Sequence, residues 1–245
     1  MATIHTTTMS PGKLELLHAW LPGQPWFLGT GREPVLTRAG GFRIDDPQGA
    51  VGIEFMVVTD GSTDPAITYQ VPLTYRGHAL ASAAGALIGT AEHGVLGPRW
   101  IYDGVHDPIL VAQLIALIQG DAEPQAQSVS DTPDPTVTSR RVTDGTVTVT
   151  GSAVTSSGPA GTDLRAETAS ADGLRSGDLT VRIHRILRQA GDTSPAGDAA
   201  HSDSDSDSNG AGRPCLSATW RLPDGTLARG SFASARYDQA PAARP

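Results

Sequence analysis

Two apolar runs separated by a turn constrain the fold most. Residues 50–59 read AVGIEFMVVT and residues 66–75 read AITYQVPLTY. Both are rich in β-branched and aromatic residues, which suit a pleated, half-buried surface. Asp60-Gly61 between them is a turn signal. The pair predicts an antiparallel hairpin. Pro72 places its strand at an edge or a bulge, because proline has no N–H to give to a ladder. Further strands are predicted at 34–44, 98–103, 142–150, 179–187, 215–222 and 226–234. The last two flank Pro223-Asp224-Gly225, a second turn signal. Residues 79–90 fit either a helix or a small-residue loop followed by a strand.

Helices are few. A short one is predicted over 12–21, with Ser10 as N-cap and Pro11 at its first position, carrying Leu14, Leu16 and Leu17. The clearest begins at Asp107-Pro108, an N-cap followed by a proline that costs no hydrogen bond. Its stripe of Ile109, Leu110, Leu114, Leu117 and Ile118 packs one face, and Gly120 caps its end. Many strands, two or so helices and short turns predict an α+β fold built on a mainly antiparallel sheet. The strands after residue 140 either extend that sheet or form a second layer.

Composition divides the chain. Residues 1–11 read as a flexible tail and residues 12–120 as the α+β region. Residues 121–140, rich in Pro, Ser, Asp and Thr, read as a linker. Residues 141–236 supply additional strands, expected to pack on the same sheet, and 237–245 a second tail. Within 190–213 the run HSDSDSDSNGAG is low in complexity and reads as disordered.

The net charge is −8, and no basic patch is visible, which argues against a nucleic-acid partner. The longest apolar run, Ile109 to Ile118, is too short to span a bilayer, so no membrane partner is expected. The N-terminus, MATIHTTTMSPGK, lacks the apolar core of a signal peptide. Cys215 is the single cysteine, so no intrachain disulfide forms. A cytoplasmic location is expected. Lys13 is the only lysine, so any phosphate-gripping or Schiff-base lysine has to be Lys13.

The segment Trp20–Gly31, WLPGQPWFLGTG, holds two of the four tryptophans of an aromatic-poor chain. Pro22 and Pro25 restrict its backbone. Trp20, Trp26 and Phe27 read as a core anchor first, and as a protein-docking face or sugar platform second. This segment also resembles the W-L-P-x-Q-R-W-F/Y-x-G block in the N-terminal cap of actinobacterial maltokinases and related sugar kinases. Pro25 stands where that family has Arg. The order of later blocks agrees: an acidic-Gly turn, TYQVPLTYRG, and ALIGTAEHGVLGPRWIYDGVHDP. The resemblance covers roughly residues 12–120. It implies a cap-like, cystatin-like fold for the N-terminal part, and it supplies no catalytic residue, since the family's chemistry lies in its later lobes. Relatives with this layout are sometimes labelled glucan-branching proteins, but a branching enzyme needs a barrel with several carboxylate motifs, and this sequence has none.

Phosphoryl transfer requires metal ligands, a phosphate-binding cation and a base. Ser176-Gly177-Asp178-Leu179 resembles only the middle of the related kinases' His-Gly-Asp…Asn loop, and a Gly-Asp pair before a strand is ordinarily a turn. A P-loop is absent. The best candidate ligand site is the cluster Glu92, His93, Arg99, Tyr102, Asp103 and His106, beside Asp107. Carboxylates and imidazoles near a tryptophan suit sugar or metal binding. The plainer reading is that these residues serve turns and caps. Glu92-His93 is not H-E-x-x-H, so a zincin site is excluded, and no metal or cofactor is expected. The Ser-Asp run lacks the spaced ligands and glycine of a calcium loop.

The sequence therefore predicts a non-catalytic, maltokinase-cap-like accessory or regulatory protein, tied to glycogen, maltose or trehalose metabolism. Its partner would be a sugar kinase or a glucan-processing enzyme. The alternatives are a small sugar-binding module and a residual ATP-dependent sugar kinase.

Overall fold

The structure is a computed structural model. It describes residues 8–29, 31–142, 147–158, 161–170, 176–190 and 212–239. Two antiparallel sheets carry the α+β fold. The first has seven strands: β1 (Met9–Ser10), β2 (Leu36–Asp45), β3 (Val51–Asp60), β4 (Ile67–Arg76), β5 (Leu87–His93), β6 (Gly97–Asp103) and β7 (Pro124–Ala126), in the order β1-β5-β6-β4-β3-β2-β7. The second has β8 (Thr138–Ser139), β9 (Val147–Gly158), β10 (Gly161–Ser170), β11 (Ser176–Ile183), β12 (Arg213–Arg221) and β13 (Leu227–Gln239), in the order β8-β12-β13-β11-β10-β9. Two α-helices accompany them, α1 (Lys13–Trp20) and α2 (Pro108–Gln119).

The predicted hairpin is β3–β4, with Phe55 opposite Pro72. Strand β4 is not an edge, and Pro72 is not at a bulge. β6 pairs only with Leu73–Arg76 of β4. The N-terminal half of β4 is paired instead by residues 185–187 of the second sheet's chain. Gln70 N–H donates to the Arg185 carbonyl at 2.8 Å, and Leu187 N–H donates to the Thr68 carbonyl at 2.9 Å. Pro72 sits in the gap between these two partners, where no N–H is required.

The later strands form a second layer and do not lengthen the first sheet. The two sheets share one core. Phe42 and Phe55 stack at 4.7 Å between ring centroids, and Phe42 lies 5.9 Å from Phe232 of β13. Helix α2 is buried there too. Its buried residues include Val111 and Ile115 as well as Leu110, Leu114, Leu117 and Ile118 of the predicted stripe, because elements of both sheets cover it; Ile109 is half-buried. A helix covered on more than one side is apolar beyond a single stripe. Its ends are as predicted. The Asp107 carboxylate accepts from Ile109 N–H at 3.0 Å, and Gly120 adopts φ +82°.

Other expectations need correction. Helix α1 starts at Lys13, with Gly12 as N-cap and Glu15 reaching back to the Gly12 N–H. Ser10 is instead drawn into β1 by pairing with Glu92, so it is not available as a cap and Pro11 precedes the helix. The tail of residues 1–11 is thus part of the sheet from Met9. Residues 79–90 form a 3₁₀ stretch (Ala81–Ala86) followed by β5. The stretch 121–140 carries β7 and β8, which close one edge of each sheet. The segment between the predicted strands at 142–150 and 179–187 contains β10, which was not expected. Strand β13 runs on to Gln239, past the start of the tail predicted at 237–245, and residues 240–245 lie outside the described residues. The Ser-Asp run expected to be disordered lies outside the described residues.

Candidate functional site

Helix α1 lies on the face of the first sheet that carries Glu54, Met56, Val58, Tyr69, Val71 and Leu73. A turn of 3₁₀ helix (Leu21–Gly23), with Pro22 inside it, reverses the chain and brings Trp26 down onto this face. Trp26 is fully buried. Its ring meets Trp20 edge-on at 5.8 Å and Tyr69 at 6.0 Å. Trp20 and Phe27 are half-buried. Of the three aromatic candidates, Trp26 is thus a core anchor, while Trp20 and Phe27 retain exposed flanks.

The loop after Phe27 is held at both ends. Tyr69 Oη accepts from Leu28 N–H at 3.1 Å, and Asp60 Oδ1 accepts from Val35 N–H at 2.9 Å. Burial pushes the Tyr69 hydroxyl up to about 12, so it stays protonated and neutral. At Gly29 a side chain would run into the Phe27 ring. Between the two anchors the loop bounds an open groove of about 540 Å³, lined by His18, Ala19, Pro22, Phe27, Arg32 and Glu33 among others. An aromatic ring beside charged groups in an open groove can contact a polypeptide or a sugar ring.

Lys13 is committed elsewhere. Its ammonium is paired with Glu54, which is buried within β3. Glu54 also accepts from Tyr75 Oη at 2.7 Å and from Gln127 Nε2 at 2.5 Å. Burial alone would push the Glu54 carboxyl up, but the Lys13 charge and these three donors together hold it below the usual carboxylate value. Burial and the Glu54 charge push the Tyr75 hydroxyl well above its usual value. The lone lysine thus neutralises a buried carboxylate and fixes α1 to the sheet.

The predicted ligand cluster does not converge. Glu92, His93 and Arg99 lie at the tip of the β5–β6 hairpin, where His93 pairs with Gly97. His93 Nδ1 accepts from Val95 and Leu96 N–H groups at 3.3 and 3.1 Å, and Arg99 donates to the Leu96 carbonyl at 2.8 Å. Tyr102 and Asp103 are buried at the other end of β6, about 16 Å along the strand. Tyr102 Oη accepts from Leu80 N–H. His106 is exposed on the 3₁₀ turn that follows. Asp107 is buried and receives both prongs of the Arg76 guanidinium, at 2.6 and 2.7 Å. That fork is the main cause holding Arg76 above its usual value. Among the described residues no group of three His, Cys, Asp or Glu side chains is placed to hold a metal ion.

Asp178 is a strand residue of β11 and not a turn. It pairs with Arg165 at 2.5 Å on a solvent-facing surface. Burial pushes the Cys215 thiol up to about 12, so it does not ionise near neutrality.

Sequence reasoning did not single out Arg185. Its side chain is completely buried. Nη2 donates to both Asp103 oxygens at 2.9 and 2.6 Å, Nε donates to Thr162 Oγ1 at 2.9 Å, and the guanidinium lies 4.8 Å from the Trp26 ring centroid. The only local signal is an arginine amid the alternating apolar run at 179–187, and its acidic partner lies 82 residues away.

No helix among the described residues is long and apolar enough to cross a membrane. No curated protein matches the chain. One family does, over the part that runs from Trp20 at the end of α1 to the Asp107 cap of α2: residues 20–107 match the maltokinase N-terminal cap domain.

Proposed function

We propose that the chain is a cap-like accessory protein of maltokinase-type metabolism, acting by docking on a protein partner and not by chemistry of its own. The observation that carries this reading is the match of residues 20–107 to a kinase cap, in a fold whose lone lysine is tied to Glu54. The partner is a sugar kinase or a glucan-processing enzyme, and the exposed flank of Phe27 and its groove is the contact surface. Affinity capture with the full chain from extract of its own host should retain such an enzyme. Phe27→Ser should reduce recovery by about tenfold, as loss of one interface aromatic commonly does. Equal recovery by the variant, or capture of no carbohydrate-active enzyme, refutes the reading.

A second reading, a small sugar-binding module, is supported by Phe27 lining the groove together with Arg32 and Glu33. Trp20 lies close by in sequence and is half-buried. Titration with maltose or trehalose should then change tryptophan emission. A flat signal up to about 10 mM, beyond the weakest useful affinities, removes this reading.

A further inference from the structure

Among the described residues, three of the four sheet edges are blunt. β1 and β8 are two residues long, and β7 is three. The fourth edge is β9, the terminal strand of the second sheet, twelve residues long. Its sequence, VTVTGSAVTSSG, has no charged residue and no proline, the residues with which native edges resist pairing with another chain. Bulges are a further such device, and β9 has two. Its register with β10 shifts twice, leaving Thr150 and Thr155 as extra residues. Between them the ladder is regular: Gly151, Ser152, Ala153 and Val154 stand opposite Glu167, Ala166, Arg165 and Leu164. Ala166 and Leu164 are buried, so Ser152 and Val154 lie on the core side of the sheet, and Gly151 and Ala153 on its outer side.

The outer side carries a charge pattern. Across β9, β10, β11 and β13 one row reads Gly151, Glu167, Asp178, Asp238, and the next reads Ala153, Arg165, Thr180, Arg236. Asp178 is paired with Arg165, Asp238 with Arg236, and Asp163 of β10 with Arg182. Glu167 stands directly opposite Asp178, an unfavourable like-charge pair. Its carboxylate lies over Gly151, where a Cβ would stand 3.6 Å from Oε2. Glu167 is exposed and leans towards the sheet edge.

We propose that β9 pairs with β9 of a second copy, antiparallel, about a two-fold axis through Ser152. An axis perpendicular to the sheet sets one residue opposite its own copy and keeps both core sides on one face of the joined sheet. The charges choose the residue. Centring on Ala153 would run the two Arg165 rows end to end, and centring on Gly151 the two Glu167 rows. Centring on Ser152 runs each Glu167 row into the partner's Arg165 row. Glu167 and the partner's Arg165 then stand three strand spacings apart, about 14 Å at the backbone, with only a glycine and an alanine between them. Extended Glu and Arg side chains span that gap. Arg165 exchanges Asp178 for the partner's Glu167, a swap of exposed pairs that costs little. This isologous contact makes each interaction twice and closes as a dimer. β9 lies outside residues 20–107, so the proposal does not depend on the kinase-cap reading.

Sedimentation equilibrium on the purified full chain tests this. The expected result is a reversible monomer–dimer equilibrium with Kd of about 10–100 µM, suited to a short contact. Ser152→Lys sets two ammonium groups against each other at the axis and should leave only monomer. Leu227→Lys, exposed at the start of β13, should dimerise like the wild type. Glu167→Arg and Arg165→Glu should each weaken self-association about fivefold or more. Mixed in equal amounts, these two variants should form a heterodimer about as tight as the wild type, because only the mixture sets opposite charges across both halves of the seam. Mixing does not repair a damaged fold, so this rescue reads the contact between copies. Wild type that stays monomeric to about 500 µM overturns the proposal. So does Ser152→Lys that dimerises like the wild type, a mixture no tighter than either variant alone, a ladder of larger species, or a Leu227→Lys variant that becomes monomeric.

Discussion

Arg185→Met lowers the unfolding free energy by about 3–5 kcal/mol, the usual cost of stranding one charge of a buried pair. Asp103 is the stranded charge. It is 4% exposed, and Arg185 donates to both of its oxygens. For a chain of this size the melting temperature should fall by about 6–20 °C. Arg185→Lys should not rescue it, because an ammonium cannot serve Asp103 and Thr162 with the spread of a guanidinium or lie flat near Trp26. Asp103→Leu combined with Arg185→Met should recover much of the loss, since well-packed apolar replacements of a buried ion pair are often neutral. Thermal melts of the three variants decide this. If Arg185→Met melts within about 2 °C of wild type, the pair has no structural importance.

The consequence reaches beyond one pair. Arg185 belongs to the segment that pairs with β4, and Gln70 Nε2 donates across the same junction to the His184 and Phe232 carbonyls, each at 3.0 Å. The residues matching the kinase cap are therefore closed by the chain's own second sheet. Phe42, stacked on Phe55, has its outer neighbour Phe232 in β13. Phe232 and Trp220 cover the face of the first sheet that carries Phe42, residues 185–187 pair with the N-terminal half of β4, and Arg185 and Ile186 reach the Trp26 side. The other face of that sheet carries α1, Trp26 and Phe27. Residues 8–120 expressed alone should expose the apolar Phe42 face and the unpaired half of β4, and should aggregate.

Where the sequence was legible, local chemistry and tertiary environment agreed. Strands β3 and β4 showed in their Val, Ile and Tyr content, and α2 in the Asp107-Pro108 start and Gly120 stop. Strand β10 did not show, because its inward residues Thr162, Leu164, Ala166 and Thr168 give too little contrast with its polar face. Strands β7 and β8 are two or three residues long and exist only because a neighbouring strand offers a ladder. The candidate ligand cluster divides along the β5–β6 hairpin for a related reason. Glu92, His93 and Arg99 stay together at the hairpin tip, while Tyr102 and Asp103 lie at the far end of β6. The partner of Asp103 is Arg185, from the segment that follows β11. His93 and Arg99 bond to their own turn, the plainer of the two readings that the sequence offered.

The Lys13–Glu54 pair makes the second large effect, and its pH dependence identifies it. The Glu54 carboxyl lies below its ordinary value of 4.5 in the folded protein. A carboxyl lowered on folding contributes stability that is present above its unfolded value, about 4.3, and is lost as pH falls through the folded value. Lys13→Met removes the charge that outweighs burial, so the Glu54 carboxyl then rises above its unfolded value. The variant bears a penalty for a buried carboxylate at neutral pH and escapes it in acid, where the group is protonated in both states. The Lys13 side chain is 37% exposed, so screening limits the neutral-pH loss to about 1–3 kcal/mol. The difference between wild type and Lys13→Met should shrink steadily from about pH 6 to about pH 3. Denaturant melts across that range test it, and because only the difference is read, other carboxylates cancel. A penalty that stays constant with pH would show that Lys13 acts through its packing over Tyr75, 5.1 Å from the ring centroid, and not through Glu54. A penalty that fades in acid shows that the one lysine of the chain is held by a buried carboxylate, a position from which it cannot also grip a phosphate.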